Sequence, residues 1–338
     1  MQFAQWTATL IGCWALSACV PPPGPSAPSA ALPPAAPRSV APPRSAAAPP
    51  PAASSAAAAP TDAPRATPPQ AQSPSPAPRP CGELGCLAFA TPQAAFEFVL
   101  ASAPRVLAVG EAHAQQGSPD VRSSTRRFAE QLLPLLSGKA RHIVIELLVA
   151  NCKQQTVQGV AEAQAPVTEH QSKSNQSEFL TLGKYAQRLG ISPEALTPEC
   201  AEYEAALAPS GEDAVAGLLA LIAKQTRQAV AALLREAAPE GDIIVTYGGA
   251  LHNDLYPREG HERWSFGPEL ARATEGRYVE LDLIVPEFVK DTDAWRNMPW
   301  YRAFDREHLS SETLLYQPAP GSFALIFPKT ETSAASRL

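Results

Sequence analysis

The chain has 338 residues and a formal net charge of −6, and its 37 prolines are too many for one uniform globular sequence. Residues 20–80 hold 21 of those prolines with 19 alanines and 8 serines, and they contain no aromatic residue. Such a segment cannot bury enough apolar surface to offset the entropy of ordering it. We therefore expect one globular domain at residues 81–330, a disordered Pro/Ala-rich linker at 19–80 and a disordered tail at 331–338.

The charge distribution argues against a nucleic-acid partner. Residues 20–80 carry a net charge of +3, so the rest of the chain carries −9. Binding to a phosphate backbone needs a basic surface. A local basic group at Arg122, Arg126 and Arg127 could still serve a small anion. The sequence contains no run of 18 or more apolar residues, so we expect no membrane-spanning helix in the mature protein.

The N-terminus has the pattern of an export signal. Trp6–Ala18 is mostly apolar and too short for a stable span, as in the hydrophobic core of a signal peptide at residues 1–18. Leu16–Cys19 (LSAC) resembles a bacterial lipobox, in which the cysteine is lipidated and becomes the new N-terminus, although no Lys or Arg precedes Trp6. Because Val20 rather than Asp follows Cys19, we expect a lipid anchor in the outer membrane. The alternative is a secreted protein cleaved near Ala18.

Four cysteines remain after the signal and the lipidated residue: Cys81, Cys86, Cys152 and Cys200. An even number in an exported chain indicates disulfides, and three pairings are possible. Proximity in sequence favours Cys81–Cys86, which leaves Cys152–Cys200 to close a longer excursion. A metal site that uses the first pair is the alternative, but its spacing matches no common zinc motif.

Apolar runs and amphipathic segments alternate along the domain. The predicted strands are Arg105–Val109, His142–Leu147, Asp242–Tyr247 and Tyr278–Val285. The predicted helices are Pro92–Leu100, Val121–Leu133, Glu178–Leu189, one from the Ser210 capping box to about Glu236, and Phe266–Thr274. Lys153–Ser177 reads as an irregular excursion, and Thr313–Gln317 with Phe323–Phe327 reads as a C-terminal hairpin. The pattern predicts an α/β fold with a largely parallel central sheet flanked by helices.

Polar residues follow three of these strands. Glu111 and His113 come after the first strand, Glu146 ends the second, and His252 follows a glycine turn after the third. Ligands bind beyond the carboxyl ends of parallel strands, so we expect these side chains to share one pocket. Two carboxylates and two imidazoles can perform general acid/base catalysis or hold a divalent metal. Burial and mutual repulsion should raise the pKa of at least one of the two glutamates.

Each of these residues has a structural alternative. Glu111 could cap the helix that begins near Asp120, and His113 or His252 could lie in a surface loop. Glu146 could pair with Arg105 or Arg141. Glu280 and Asp282 are interpreted as the solvated face of an outer strand. The remaining histidines are interpreted as structural or surface residues: His142, His170, His261 and His308.

Three motifs in order carry a family resemblance. Val109–His113 (VGEAH), Val144–Leu147 (VIEL) and Tyr247–His252 (YGGALH) resemble the superfamily that joins ChaN-type haem-binding lipoproteins, the Tiki/TraB group and the erythromycin esterases. The resemblance covers about Phe89 to Val289. It implies a Glu/His pocket used for metal-dependent peptide cleavage, ester hydrolysis or haem binding. By position it assigns Glu111, His113, Glu146 and His252 to catalysis, His113, Glu146 and His252 to a metal, and Tyr247 and His252 to a cofactor.

Two classes of function follow. The first is a metal-assisted hydrolase of a peptide or ester bond, in which one glutamate activates water and the histidines bind metal or stabilise the oxyanion. The second is a lipoprotein that binds haem or an iron compound without catalysis. A structural envelope protein with a degenerate pocket is a third possibility. The paired glutamates favour hydrolysis, so the expected ligand is a peptide or small molecule, and the expected cofactor is a divalent metal ion or haem.

Overall fold

The computed structural model describes residues 76–114, 120–149, 152, 171–172, 174–209, 212–236 and 242–331. These residues belong to one compact unit. The predicted signal peptide, Cys19, nearly all of the linker, most of the 153–177 excursion and residues 332–338 of the tail lie outside them. Within the described ranges, no helix is both long enough and apolar enough to cross a membrane.

A nine-stranded mixed sheet forms the centre of the domain, in the order β1-β2-β8-β9-β7-β3-β6-β4-β5. The six strands from β9 to β5 run parallel, and β8, β2 and β1 extend the sheet with antiparallel pairings. The strands are β1 Arg79–Pro80, β2 Leu87–Phe89, β3 Val106–Glu111, β4 Ala140–Leu148, β5 Ser192–Leu196, β6 Ile243–Gly249, β7 Tyr278–Ile284, β8 Thr313–Ala319 and β9 Ser322–Ile326.

Helices cover both faces of the sheet because its central strands are apolar on both sides. The α-helices are α1 Pro92–Leu100, α2 Ser124–Arg127, α3 Asn175–Arg188, α4 Cys200–Leu207, α5 Glu212–Arg235, α6 Ala250–Asn253, α7 Gly267–Ala273 and α8 Asp293–Arg296. The chain after α2 continues as a π-helix over Phe128–Leu132 and a 3₁₀-helix over Leu133–Leu136. Further 3₁₀ turns are Glu262–Trp264, Pro286–Phe288 and Tyr301–Ala303.

Two hydrophobic clusters define the two faces. On the first face, Val109, Val245 and Leu281 pack with α1, the turns after α2, and α3. On the second face, Ala108 and Ile244 pack with α5 and α7. Successive side chains of a strand point to opposite faces, so alternate residues of one strand belong to different clusters. This alternation decides from which face each polar residue reaches the end of the sheet.

The predicted fold class is confirmed: a largely parallel sheet lies between helical layers, and β8 and β9 form the C-terminal hairpin. Helix α1 has its predicted bounds. The predicted helix Val121–Leu133 instead begins at Ser124, and it loses regular α geometry from Phe128 onward, in a π-helix that leads into the 3₁₀-helix containing Pro134. Strands β1, β2 and β5 and helices α4, α6 and α8 were not predicted, and Ser210 lies outside the described residues.

The interpretation of Glu280 and Asp282 as a solvated face is wrong. Strand β7 lies between β9 and β3 in the interior of the sheet, and both carboxylates are buried on the second face. They are tolerated there because each accepts a hydrogen bond from the segment after His252. Alternation of polar and apolar residues therefore marked a buried polar face rather than an exposed one.

The favoured disulfide pairing is present. Cys81 bonds to Cys86 and Cys152 bonds to Cys200. The first bridge closes a short loop before β2, so the alternative of a metal site at this pair does not match the structure. The second bridge links Cys152 to the first residue of α4.

Candidate functional site

Glu111 is the last residue of β3 and lies on the first face. Its side chain is almost fully buried, and both carboxylate oxygens have partners. Oε1 lies 2.8 Å from His113 Nδ1, while Oε2 accepts hydrogen bonds from the Thr125 hydroxyl at 2.6 Å and the Tyr247 hydroxyl at 2.5 Å. The two-residue spacing of Glu111 and His113 places them in contact, as expected for an extended chain. The carboxylate of Glu111 is therefore a fixed acceptor.

Tyr247 supports Glu111 from the neighbouring strand β6. Its ring stacks on Phe128 with centroids 4.9 Å apart and meets the edge of Phe179 at 5.8 Å. Burial, followed by the negative charge of Glu111, raises the pKa of Tyr247 well above its usual value. The hydroxyl therefore stays protonated and donates to Glu111.

His113 receives its orientation from Glu111. Burial alone would lower the pKa of His113, but the hydrogen bond and charge of Glu111, together with the charge of Glu146, leave it raised above 6.5. Because Nδ1 faces Glu111, Nε2 is the ring nitrogen that points toward Gly249 at the end of β6. Phe179 lies beside the imidazole with ring centroids 6.1 Å apart.

Glu146 reaches the same end of the sheet from the second face. It lies in β4 where the register with β5 shifts, between Ile145 and Leu148. The missing side chain of Gly248 leaves room for the carboxylate, which any Cβ there would contact. Oε2 accepts a hydrogen bond from the backbone N–H of Gly249 at 2.6 Å.

Arg105 and Arg141 were considered as structural partners of Glu146, and both instead contact Asp242. Arg105 donates to the backbone carbonyl of Asp242 at 2.8 Å, and the Arg141 guanidinium lies 3.9 Å from the Asp242 carboxylate. Asp242 immediately precedes β6, so it lies at the opposite end of that strand from Gly249.

His252 is buried in the short helix α6, so the alternative of a surface loop is wrong. Its Nδ1 lies 2.8 Å from the carbonyl oxygen of Trp264. A carbonyl only accepts, so Nδ1 carries the proton. Nε2 lies 3.7 Å from Glu146 Oε1, which makes Glu146 and His252 a second Glu–His pair.

The two Glu–His pairs approach one another at Gly249. A Cβ atom built on Gly249 would lie 3.4 Å from His113 Nε2 and 3.6 Å from Glu146 Oε2. Glu111 and His113 come from the first face of the sheet, and Glu146 and His252 come from the second face. The two pairs therefore meet at the carboxyl end of β6. All four predicted site residues are thus brought to one end of the sheet.

The predicted metal ligands are His113, Glu146 and His252. Both imidazoles have Nδ1 hydrogen-bonded to an acceptor, which is the usual orientation of metal-binding histidines. Nevertheless, among the described residues no three His, Cys, Asp or Glu side chains are placed to hold a metal ion. His113, Glu146 and His252 therefore do not form a three-ligand metal site as they are arranged.

The basic group considered for a small anion is occupied by protein partners. Arg126 pairs with Glu130 at 2.8 Å, and Arg122 lies 3.4 Å from the same carboxylate. Arg127 is buried and donates to the carbonyl of Pro328 and the hydroxyl of Thr330. Burial lowers the pKa of Arg127. These contacts do not favour an anion site.

Sequence reasoning missed one contact of the site, from Thr125, and one buried carboxylate beside it, Asp282. Thr125 follows Glu111 by 14 residues, and no spacing rule connects them before the fold is known. Asp282 carried a usable signal, because it interrupts an apolar run in the same way as Glu146 does in β4. The alternation around Asp282 was assigned to solvent because the place of β7 in the sheet was unknown.

Comparisons with known proteins add little. No family model matches the chain, and neither does any curated protein. The type III effector HopBA1 is similar over 69% of this chain and 92% of its own, at 11% identity and a TM-score of 0.32. RRSP, a MARTX toxin effector domain from Vibrio vulnificus CMCP6, is similar over 47% of this chain and 30% of its own, at 20% identity and a TM-score of 0.27.

Proposed function

We propose that the chain is an envelope lipoprotein that hydrolyses an ester or peptide bond. The observation that carries the proposal is the contact of Glu111 Oε1 with His113 Nδ1 at 2.8 Å, with the other oxygen of Glu111 held by two hydroxyls. A carboxylate that fixes an imidazole and stabilises its protonated form is the arrangement used in general acid/base hydrolysis.

In this proposal His113, rather than Glu111, is the base. Glu111 already accepts three hydrogen bonds, so it acts through His113 and is a positioning residue. A water molecule above Gly249 gives its proton to His113 Nε2 as its oxygen attacks the carbonyl carbon of the substrate. The imidazolium then returns that proton to the leaving oxygen or nitrogen as the tetrahedral intermediate collapses.

The second pair stabilises the developing negative charge. The Nδ1–H of His252 stays on the Trp264 carbonyl, and Nε2, beside Glu146, would donate to the oxyanion when it also carries a proton. Such a donor contributes most when it is already oriented before the reaction. The backbone N–H of Gly249 keeps Glu146 in place.

The metal-assisted version stays a proposal: a divalent ion, if bound, would be held by His113, Glu146 and His252, which do not form a three-ligand site as they are arranged. The predicted lipid anchor favours the alternative of a haem-binding lipoprotein. Its candidate ligand Tyr247 is 1% exposed and donates to Glu111, so the geometry favours hydrolysis. Elemental analysis of the purified full chain and a haem titration read at the Soret band test both.

The location is also a proposal: Cys19 carries lipid and holds the domain on the outer membrane. Cys19→Ser should move the protein from the membrane fraction to the soluble fraction. A variant that stays in the membrane fraction, with no labelled fatty acid in the wild type, would contradict the anchor.

The hydrolase is tested by offering the full chain a panel of chromogenic esters and short peptides. We expect cleavage of at least one class, and a His113→Gln variant should lose it by about 100-fold or more. The matched control is His142→Gln, because His142 forms a His–Glu contact outside the site, with Glu194 at 3.3 Å on β4 and β5. Full activity in His113→Gln, or equal loss in both variants, would overturn the proposal.

A further inference from the structure

Two buried carboxylates on β7 take no part in the reaction proposed above. Glu280 and Asp282 are 6% and 4% exposed and lie on the second face. In the register of the sheet, Glu280 is opposite Ala108 and Asp282 is opposite Gly110, near the carboxyl end of β3. Burying a carboxylate is costly in free energy unless hydrogen bonds compensate. The hydrogen-bond partners of Glu280 and Asp282 therefore identify the segment that the two side chains support.

The partners belong to the segment that immediately follows His252. Three side chains of β7 contact it: Glu280 Oε2 accepts from the Leu255 N–H at 2.6 Å, Asp282 Oδ1 accepts from Asn253 Nδ2 at 3.1 Å, and the Tyr278 hydroxyl donates to the Asn253 carbonyl at 2.5 Å. Asn253 Nδ2 also donates to the Ala108 carbonyl on β3 at 3.2 Å. One strand thus contacts the backbone or side chain of residues one and three places after His252.

His252 depends on such contacts because its own helix is short. Helix α6 has four residues, too few for intrinsic helical stability. On its other side, the Phe266 N–H donates to the His252 carbonyl at 2.9 Å and Nδ1 binds Trp264. The position of the imidazole is therefore set by tertiary contacts on both sides.

The close approach on the β7 side also requires Gly110. A Cβ atom there would lie 2.6 Å from both Asn253 Oδ1 and Asp282 Oδ1, which is closer than real contacts allow. The glycine in the VGEAH motif therefore lets Asn253 lie across the end of β3 and reach Asp282.

We propose that Tyr278, Glu280 and Asp282 are positioning residues, here called the β7 clamp, which fix His252 through Asn253 and Leu255. The inference deepens the proposed function and rests on it, since His252 matters only if the site is catalytic. The clamp residues act through the segment that carries His252, so they are not catalytic residues.

The experiment is histidine NMR on the full chain labelled with ¹⁵N at histidine. The signals of His252 are identified by their loss in His252→Gln. Tyr278→Phe, Glu280→Met and Asp282→Leu remove one clamp contact each, whereas Glu280→Gln and Asp282→Asn keep an oxygen acceptor. The matched control is Val279→Ala, which weakens the same strand from its first face without touching the clamp.

We expect each clamp-removing variant to shift the His252 Nδ1 signal toward that of a free imidazole, with Val279→Ala leaving it in place. Glu280→Gln and Asp282→Asn should keep the wild-type signal. If Asp282→Leu or Glu280→Met does not fold, Tyr278→Phe decides alone. An unmoved signal in Tyr278→Phe, or an equal shift in Val279→Ala, overturns the clamp. The NMR measurement needs no substrate. An unmoved His252 signal in Tyr278→Phe, together with intact His113-dependent hydrolysis in the wild type, would overturn the clamp and leave the proposed function standing.

Discussion

At the scale of single residues, the contacts of Glu111 decide what its substitution does. The carboxylate of Glu111 accepts hydrogen bonds from three donors, and in Glu111→Gln the amide NH₂ group would face at least one of those donors. We therefore expect a loss of about 1–3 kcal/mol in the free energy of unfolding. The substitution should also lower the pKa of His113, because the hydrogen bond and charge of Glu111 are what raise it against burial. Denaturant unfolding and an NMR titration of His113 measure the two effects.

The control for this prediction is Glu146→Gln. Glu146 acts on His113 through charge alone and more weakly than Glu111, so its removal should lower the pKa of His113 by less. An equal fall in both variants would contradict the assignment of Glu111 as the residue that orients the imidazole.

At the scale of elements, two glycines with different surroundings make a matched pair. Gly110→Ala should destabilise the domain by about 1–3 kcal/mol, because its Cβ would press on Asn253 and Asp282. Gly183→Ala lies inside α3, where its Cβ would be 3.6 Å from the side chains of Ile145 and Pro193. That change should stabilise the domain by up to about 1 kcal/mol. If Gly110→Ala and Gly183→Ala changed the thermal unfolding temperature equally, the close packing of β3 against Asn253 and Asp282 would be contradicted.

The two disulfides should contribute unequally. Loop-closure entropy assigns about 4 kcal/mol to Cys152–Cys200, which are 48 residues apart, and about 2 kcal/mol to Cys81–Cys86, which are 5 apart. Denaturant unfolding of the two double Cys→Ser variants compares them. If removing the Cys81–Cys86 bridge lowered the free energy of unfolding by more, that bridge would stabilise β2 by contacts in addition to loop closure.

Sequence patterns predicted most elements because the strands β3, β4 and β6 are long apolar runs, and a buried parallel sheet needs such runs. The same signal placed Glu111, Glu146 and His252 at strand ends. It could not place β5, whose sequence SPEAL is polar, or order the strands, since pairing depends on contacts distant in sequence. The contact of Thr125 with Glu111 follows from that order, so it could not be predicted. The place of Asp282 in an apolar run did signal its burial, but the signal could not be interpreted without the position of β7 in the sheet.

At the scale of the whole molecule, the buried carboxyls make stability depend on pH. Burial, then the charge of Asp254, raises the pKa of Asp282 to about 8, and burial also raises the pKa of Asp254 to about 7 against the charge of Arg258. The pKa of Glu280, which faces Asp282, Asp254 and Tyr278, is raised as well. The folded state then binds protons more tightly than the unfolded state.

Stability from these groups is therefore complete in acid and is lost as pH rises through about 8. We expect the free energy of unfolding to fall between about pH 5 and pH 8, by up to about 1.4 kcal/mol per pH unit for each proton involved. His113, with its raised pKa, adds to the same trend. Asp282→Asn should flatten the slope measured by denaturant unfolding. A stability maximum near pH 8, or an unchanged slope in the variant, would contradict this account.

The central claim is that the two Glu–His pairs act together over Gly249, and a Gly249→Ala variant tests it most directly. The new methyl group would lie 3.4 Å from His113 Nε2 and 3.6 Å from Glu146 Oε2, ordinary contact distances that fill the meeting point while removing no functional group. With a substrate found in the ester and peptide panel, we predict a fall in kcat/KM of about 100-fold with little change in thermal stability. Wild-type kcat/KM in a folded Gly249→Ala protein would contradict the claim.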